Sequence, residues 1–143
     1  MSLVKRYETH VKYDKILAEA HVAGMAAGDA AIPTPMVVSQ HANVLDDNSP
    51  VVKSYYVSEG VCGFAYVLTN EHGNSKFVKY LKKITALSGG YLSAGDKYYY
   101  GGYYVAYVRA FNQSYTRKMA YAEAYAKVLN DYGIKAYADG RLD

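Results

Sequence analysis

The sequence predicts an α+β domain, a mostly antiparallel sheet with three helices packed on it. Three observations carry that prediction. Apolar residues recur at three- and four-residue steps in three segments, with capping residues or breakers at their ends. Between them lie runs rich in Val and Tyr, residues that favour strands. The segments follow in the order helix, strands, helix, strand hairpin, helix, strand, the order of helices laid on a mostly antiparallel sheet. Its β-α-β-β-α-β portion also matches the order of a ferredoxin-like core. With 143 residues and no internal repeat, the chain reads as a single domain, 1–143.

The first helix covers about 8–31. Tyr13, Ile16, Leu17, Ala20, Gly24 and Ala27 share one face, and Lys12, Lys15 and Glu19 the other. Gly24 and Gly28 each weaken a helix by about 1 kcal/mol relative to alanine, which is tolerable where another backbone approaches closely. Pro33 and Pro35 stop it. Met36-Val37-Val38 is a short apolar piece before a polar loop through Asp46 and Asp47. Residues 52–58 and 61–69 read as two strands with a turn at Glu59-Gly60. The second is apolar on both alternating sets, so it should be central and covered on both faces. Sheet and helices then occupy 51–138.

Asn74 or Ser75 caps a helix over 75–84, with Phe77, Tyr80, Leu81 and Ile84 buried and Lys76, Lys79, Lys82 and Lys83 solvated. Residues 97–111 carry high strand propensity around Gly101-Gly102, a hairpin or bulge signal. After the glycines, Tyr103, Val105, Tyr107 and Arg109 form the face expected to be exposed. Ser114 caps the last helix, 115–132, whose apolar face is unusually broad. Such a face implies burial against a sheet or another subunit. Gly133 ends it, and 134–138 reads as a final strand before a polar ending at 139–143.

Composition narrows the function classes. The apolar fraction of 51% excludes disorder. No apolar run approaches the ~18 residues of a membrane span, so no membrane role is expected. The N-terminus has no hydrophobic signal core, and one cysteine, Cys62, suits a reducing compartment. Eighteen tyrosines stand against 3 phenylalanines and no tryptophan. Each phenol needs a hydrogen-bond partner or water, so several should lie at a surface or interface. Charge is uneven: residues 72–118 hold eight basic side chains and only Asp96, while the flanking stretches are net acidic.

From about residue 33 onward the chain resembles uncharacterised proteins encoded by tailed phages, prophages and viral metagenomes. The matching pieces are Pro33-Thr34-Pro35-Met36-Val37-Val38, Tyr55-Tyr56-Val57 and Gly60-Val61-Cys62-Gly63-Phe64-Ala65-Tyr66-Val67. Further matches are Asn74-Ser75-Lys76-Phe77, Leu81-Lys82-Lys83, Tyr99-Tyr100-Gly101-Gly102, Gln113-Ser114 and Arg117-Lys118. Val128-Leu129, Gly133-Ile134-Lys135-Ala136-Tyr137 and Arg141-Leu142-Asp143 complete the set. The resemblance implies a virus-encoded accessory protein in the cytoplasm of an infected bacterium. It implies no activity.

Few residues carry recognisable chemistry. His10, His21, His41, His72 and Cys62 lack metal-ligand spacing, and no phosphate-loop or dinucleotide fingerprint occurs, so neither metal nor cofactor is expected. Cys62, set in an apolar strand, reads as a small buried hydrophobe. Asp46-Asp47-Asn48 lacks the glycine and closing glutamate of a calcium loop. Three functions fit what remains. The first is a non-catalytic interaction protein that self-associates as a homo-oligomer or masks a host protein through tyrosine-rich surface. The second is single-stranded nucleic-acid binding by Lys76, Lys79, Lys82, Lys83, Tyr103, Tyr107 and Arg109, since cations neutralise phosphates and aromatic rings stack on unpaired bases. The third is nucleotide or small-ligand binding by Asn74, Ser75, Gln113, Ser114, Arg117 and Arg141, polar groups at helix starts and the C-terminus.

Overall fold

A computed structural model describes residues 2–42, 45, 48–89 and 93–143, without the side chains of 38–40, 52, 53 and 55. The Asp46-Asp47 pair and Gly90 lie outside the described residues. The fold is α+β, with three helices and two antiparallel sheets.

Helix α1 spans Leu3–Ala30 and starts five residues earlier than its apolar stripe predicts. Ser2 explains the start: its hydroxyl accepts from the Lys5 amide at 3.2 Å. Ile16, Ala20, Gly24 and Gly28 are buried at successive four-residue steps, a seam of mostly small side chains. The seam is narrow because rings press into it. A Cβ on Gly24 would stand 2.6 Å from Cδ2 of Tyr121, and one on Gly28 would overlap the Phe111 ring. Side chains, rather than the backbone expected from the sequence, make the close approach.

Strands β1 (Met36–His41) and β2 (Val51–Val57) pair antiparallel as a two-stranded ribbon. The strand thus runs three residues past Met36-Val37-Val38, to His41. Strand β3, Gly63–Thr69, is the centre of a separate sheet of order β4-β3-β5, where β4 is Tyr103–Tyr107 and β5 is Ala136–Leu142. The turn at Glu59-Gly60 thus joins two sheets instead of closing a hairpin. Both edges of β3 are taken by β4 and β5, so β2 has no edge there to pair with. Gly60 has φ +77, and a Cβ there would meet the Thr34 carbonyl at 2.7 Å. The central sheet has three described strands, where a ferredoxin-like sheet has four.

Strand β3 is central, as its doubly apolar pattern requires, with only Phe64 less than fully buried. Cys62 lies just outside it and is exposed, contrary to the expectation of a buried thiol. The strand begins one residue later, at Gly63, where a side chain would strike the Arg141 carbonyl and Tyr115. A register shift between Val67 and Leu68 opposite β4 changes which residues point inward. Val105 is buried in the core, so Tyr103, Val105, Tyr107 and Arg109 do not form one exposed face. Strand β5 continues to Leu142, through the Asp139-Gly140 pair that reads as a terminus. Gly140 is needed there for packing: a Cβ would lie 2.5 Å from the Phe64 carbonyl.

Helix α2 spans Lys76–Leu87 and helix α3 Tyr115–Asp131. The broad apolar face of α3 is used up inside the chain. Tyr121, Ala122, Tyr125, Ala126 and Leu129 join Ile16 and Ala20 of α1 with Ala65 and Val67 of β3 in one core. No helix among the described residues is long and apolar enough to cross a membrane.

The sheet face away from this core is tyrosine-rich. Cross-strand partners Tyr66 and Tyr107 have ring centroids 5.0 Å apart, and Tyr104 stacks on Tyr107 at 4.9 Å. Tyr98 lies over them, 5.2 Å from Tyr104, and its hydroxyl donates to Asp139 Oδ2 at 2.7 Å. Tyrosines thus serve both as core and as surface: Tyr66, Tyr80, Tyr121 and Tyr125 are buried, while Tyr7, Tyr56, Tyr99, Tyr100, Tyr107 and Tyr132 are exposed.

Candidate functional site

The lysine-rich helix α2 builds the most distinctive surface. Ser75 caps it, its hydroxyl accepting from the Val78 amide at 3.2 Å. Phe77, Val78, Tyr80 and Leu81 are buried, which turns Lys76, Lys79, Lys82 and Lys83 outward. The N-terminal half of α1 meets this helix through rings. Tyr13 lies 5.2 Å from both Phe77 and Tyr80, and His10 lies 5.1 Å from Tyr80. The Tyr80 hydroxyl donates to Asp14. Burial first, and then that carboxylate, push the Tyr80 hydroxyl well above the usual phenol range.

Between the two helices runs a groove of about 670 Å³. Arg6, Thr9 and His10 of α1 line one wall; Lys76, Lys79, Tyr80 and Lys83 of α2 line the other, with Asn74 at the end. Four cations converge there, and the described lining holds no carboxylate. Asp14, beside the lining residues Tyr80 and His10, is engaged by both; His10 Nε2 stands 3.4 Å from its Oδ2. His10 Nδ1 is buried and has no hydrogen-bond partner. A cleft lined by one sign of charge concentrates counter-ions of the other. The geometry suits an anion long enough to touch several cations at once.

The sequence-predicted nucleic-acid residues divide among four places. Lys76, Lys79 and Lys83 share the groove. Lys82 lies in an adjoining basin of about 540 Å³ with His72, Lys97, Gly102 and Tyr103, and its Nζ is 5.5 Å from the centre of the Tyr103 ring. Glu71 also lines this basin, but its Oε1 accepts from the Lys135 amide. Tyr107 belongs to the tyrosine face of the sheet, and exposed Arg109 lies beyond the end of β4.

The predicted ligand residues separate as well. Asn74 borders both the groove and the basin, and Ser75 is the α2 cap. Gln113, Ser114 and Arg117 line a cleft of about 510 Å³ with Glu59 and exposed Cys62. Their polar groups are largely committed to the fold. Arg117 Nε pairs with Glu59 Oε2 at 2.6 Å, and Nη1 donates to the Gly28 and Asp29 carbonyls at 2.9 and 3.0 Å. This arginine therefore closes the C-terminal end of α1, whose last carbonyls lack helical partners. Ser114 caps α3 and donates to the Glu59 carbonyl at 3.0 Å. Beside them Phe111 (φ 69) and Asn112 (φ 51) hold left-handed conformations, unfavourable for a ring-bearing residue. Packing of Phe111 against Gly28 holds it there. Arg141 sits on β5, 5.2 Å from the centre of the Phe64 ring.

Arg6 and His10 are the groove residues that sequence reasoning missed. Arg6 precedes the helix start predicted from the apolar stripe, and both fall in the net-acidic stretch before residue 72. The spacing Arg6, Thr9/His10, Tyr13 was the available signal, since it places them along one edge of α1. Lys118 is the opposite case. It belongs to the basic stretch but is buried, with Nζ 5.7 Å from the centre of the Phe64 ring. Among the described residues, no group of three His, Cys, Asp or Glu side chains could hold a metal ion. Comparison with protein-family models, curated proteins and solved structures gives no match to this chain.

Proposed function

We propose that this chain is a non-catalytic binding protein whose α1–α2 groove takes the phosphate backbone of a nucleic acid. The observation that carries the reading is the convergence of Arg6, Lys76, Lys79 and Lys83 on one groove whose described lining holds no carboxylate. Cations spaced along a groove match a chain of phosphates, and neutralising each phosphate releases condensed counter-ions. Arg6 adds a planar fork suited to phosphate oxygens, and the lysines add point charges.

Fluorescence anisotropy with a labelled oligonucleotide, titrated with salt, tests it. The parent chain should bind at low salt and weaken with a log-log slope of about −0.7 per phosphate contact on a single strand. Lys79→Glu with Lys83→Glu should weaken binding at least about tenfold and flatten that slope by one to two contacts. No binding at low salt, or equal competition by poly-glutamate, overturns the reading.

The ribbon favours a second reading, self-association. Cross-strand partners Val37 and Tyr56 are 63% and 69% exposed on it. A two-stranded ribbon is marginal alone, and a second copy would cover that face. Light scattering at micromolar concentration should then show a dimer that Val37→Lys with Tyr56→Lys returns to monomer. A parent chain that is monomeric throughout removes this reading.

A further inference from the structure

Tyr99 and Tyr100 occupy the tip of a turn and are 90% and 78% exposed. Turn tips normally carry Gly, Pro, Asn, Asp or Ser, so the turn itself does not call for two phenol rings, although Tyr100 also meets the Tyr98 ring edge to face at 5.6 Å. The turn is held firmly beneath them. The Tyr98 amide donates to the Gly102 carbonyl at 2.9 Å, and the Gly101 amide to the Tyr98 carbonyl at 3.0 Å. Gly101 and Gly102, at φ +107 and +83, take conformations that side chains disfavour. The Tyr137 hydroxyl of β5 donates to the Gly101 carbonyl at 2.9 Å, and Tyr98 is tied to Asp139. The two tip rings meet edge to face at 4.9 Å. They are presented on a rigid support, which lowers the ordering cost of binding.

The turn also stands at the end of a basic path. Its feet, Lys97 and Gly102, line the basin that contains Lys82 and Tyr103. Asn74 lines both that basin and the groove of Arg6, Lys76, Lys79 and Lys83. Cationic surface therefore continues from the groove, past the start of α2, to the base of the exposed rings.

We propose that Tyr99 and Tyr100 are a stacking platform for unpaired bases, which makes the chain selective for single-stranded nucleic acid over duplex. This deepens the nucleic-acid reading of the groove and rests on it. The groove and basin hold phosphates, a sequence-independent and strand-independent contact. The rings supply the discrimination, because only an unpaired base offers its face for stacking.

The test compares a labelled oligothymidylate with a duplex of equal length, for the parent, Tyr99→Ala, Tyr100→Ala, the double variant, and Tyr99→Phe. Stacking at about 1–3 kcal/mol per base converts to about a 5- to 150-fold loss of single-strand affinity for each ring removed. The salt slope and duplex affinity should stay at parent values, and Tyr99→Phe should bind like the parent. Both positions are exposed, so unchanged near-ultraviolet circular dichroism outside the lost tyrosine signal checks the fold. If the double alanine variant binds the single strand like the parent, the platform is overturned while the groove stands. If the alanine variants lose affinity and the lysine reversals do not, the groove reading falls and the stacking contact stands. Absence of binding to either oligonucleotide overturns both.

Discussion

Above pH 10 the folding stability of this chain should fall steeply, and its buried tyrosines should keep their protons until it unfolds. Burial pushes the Tyr121 hydroxyl up to about 12, against an ordinary value of 10.0. Burial, and then the nearby Tyr121, also raise Tyr125. Burial followed by the bond to Asp14 raises Tyr80, and burial followed by the bond to Asp139 raises Tyr98. The sign follows from proton counting. Between the unfolded value near 10 and the higher folded values, the native state keeps protons that the unfolded chain has released. The contribution of these tyrosines is therefore complete below pH 10 and is lost as pH rises toward the folded values, by up to about 1.4 kcal/mol per pH unit for each of buried Tyr80, Tyr121 and Tyr125, and by less for part-exposed Tyr98, where solvent screens the charge. Several act together, so a few kcal/mol can go within one pH unit, against a total of about 5–15 kcal/mol. Urea unfolding from pH 9 to 12, with tyrosinate absorbance followed in parallel, measures both. The hydroxyls of Tyr80, Tyr121 and Tyr125 should ionise only with unfolding. Tyr125→Phe should flatten the alkaline limb by about one proton. Uniform titration near 10 in a chain that stays folded would contradict the packing described here.

A methyl group at Gly24 should destabilise the chain, although alanine is the better helix former. In an exposed helix, Gly→Ala gains about 1 kcal/mol. Here the new Cβ would lie 2.6 Å from Cδ2 and 2.7 Å from Cε2 of Tyr121. That ring cannot swing away freely: its hydroxyl shares a 2.6 Å hydrogen bond with His21, and it packs against Phe111 and Tyr125. Overpacking costs about 1–3 kcal/mol, so the clash outweighs the propensity gain. Adding Gly28→Ala, which strikes the Phe111 ring, should compound the loss, since Phe111 already holds a left-handed backbone. Urea midpoints measure both effects. A double-mutant cycle with Tyr121→Val should recover part of the Gly24→Ala loss. A Gly24→Ala chain more stable than the parent would mean that α1 and α3 do not meet as described.

Much of the helical architecture was legible from period and caps. Ser75 and Ser114 mark the starts of α2 and α3 because their hydroxyls satisfy amides that no helical turn can reach. The doubly apolar run at 63–69 announces a central strand, because only a strand covered on both faces avoids solvent on both. The lysine face of α2 was equally plain, and three of its four lysines meet in the groove. What escaped was anything decided by distant neighbours. Asp139-Gly140 has the local character of a turn, yet β3 draws it into a ladder and packing demands the glycine. A bulge at Val105 breaks the alternation of β4, so buried Val105 and exposed Tyr107 do not share a face. Arg117 and Ser114 resemble a ligand pair in sequence, and their partners at Glu59 and the α1 terminus become evident only after folding.

The amino-acid order alone determined the α+β class, the starts of α2 and α3, the central strand and the presence of a basic, tyrosine-rich stretch. These follow from short-range rules: side-chain period, caps and breakers act within one or two turns of chain. Tertiary structure decided which cations share a groove, which tyrosines are core and which are surface, and that β2 and β3 belong to different sheets. Those outcomes depend on pairing between segments far apart in sequence, where local preference is weaker than the burial and hydrogen bonding that a distant partner provides.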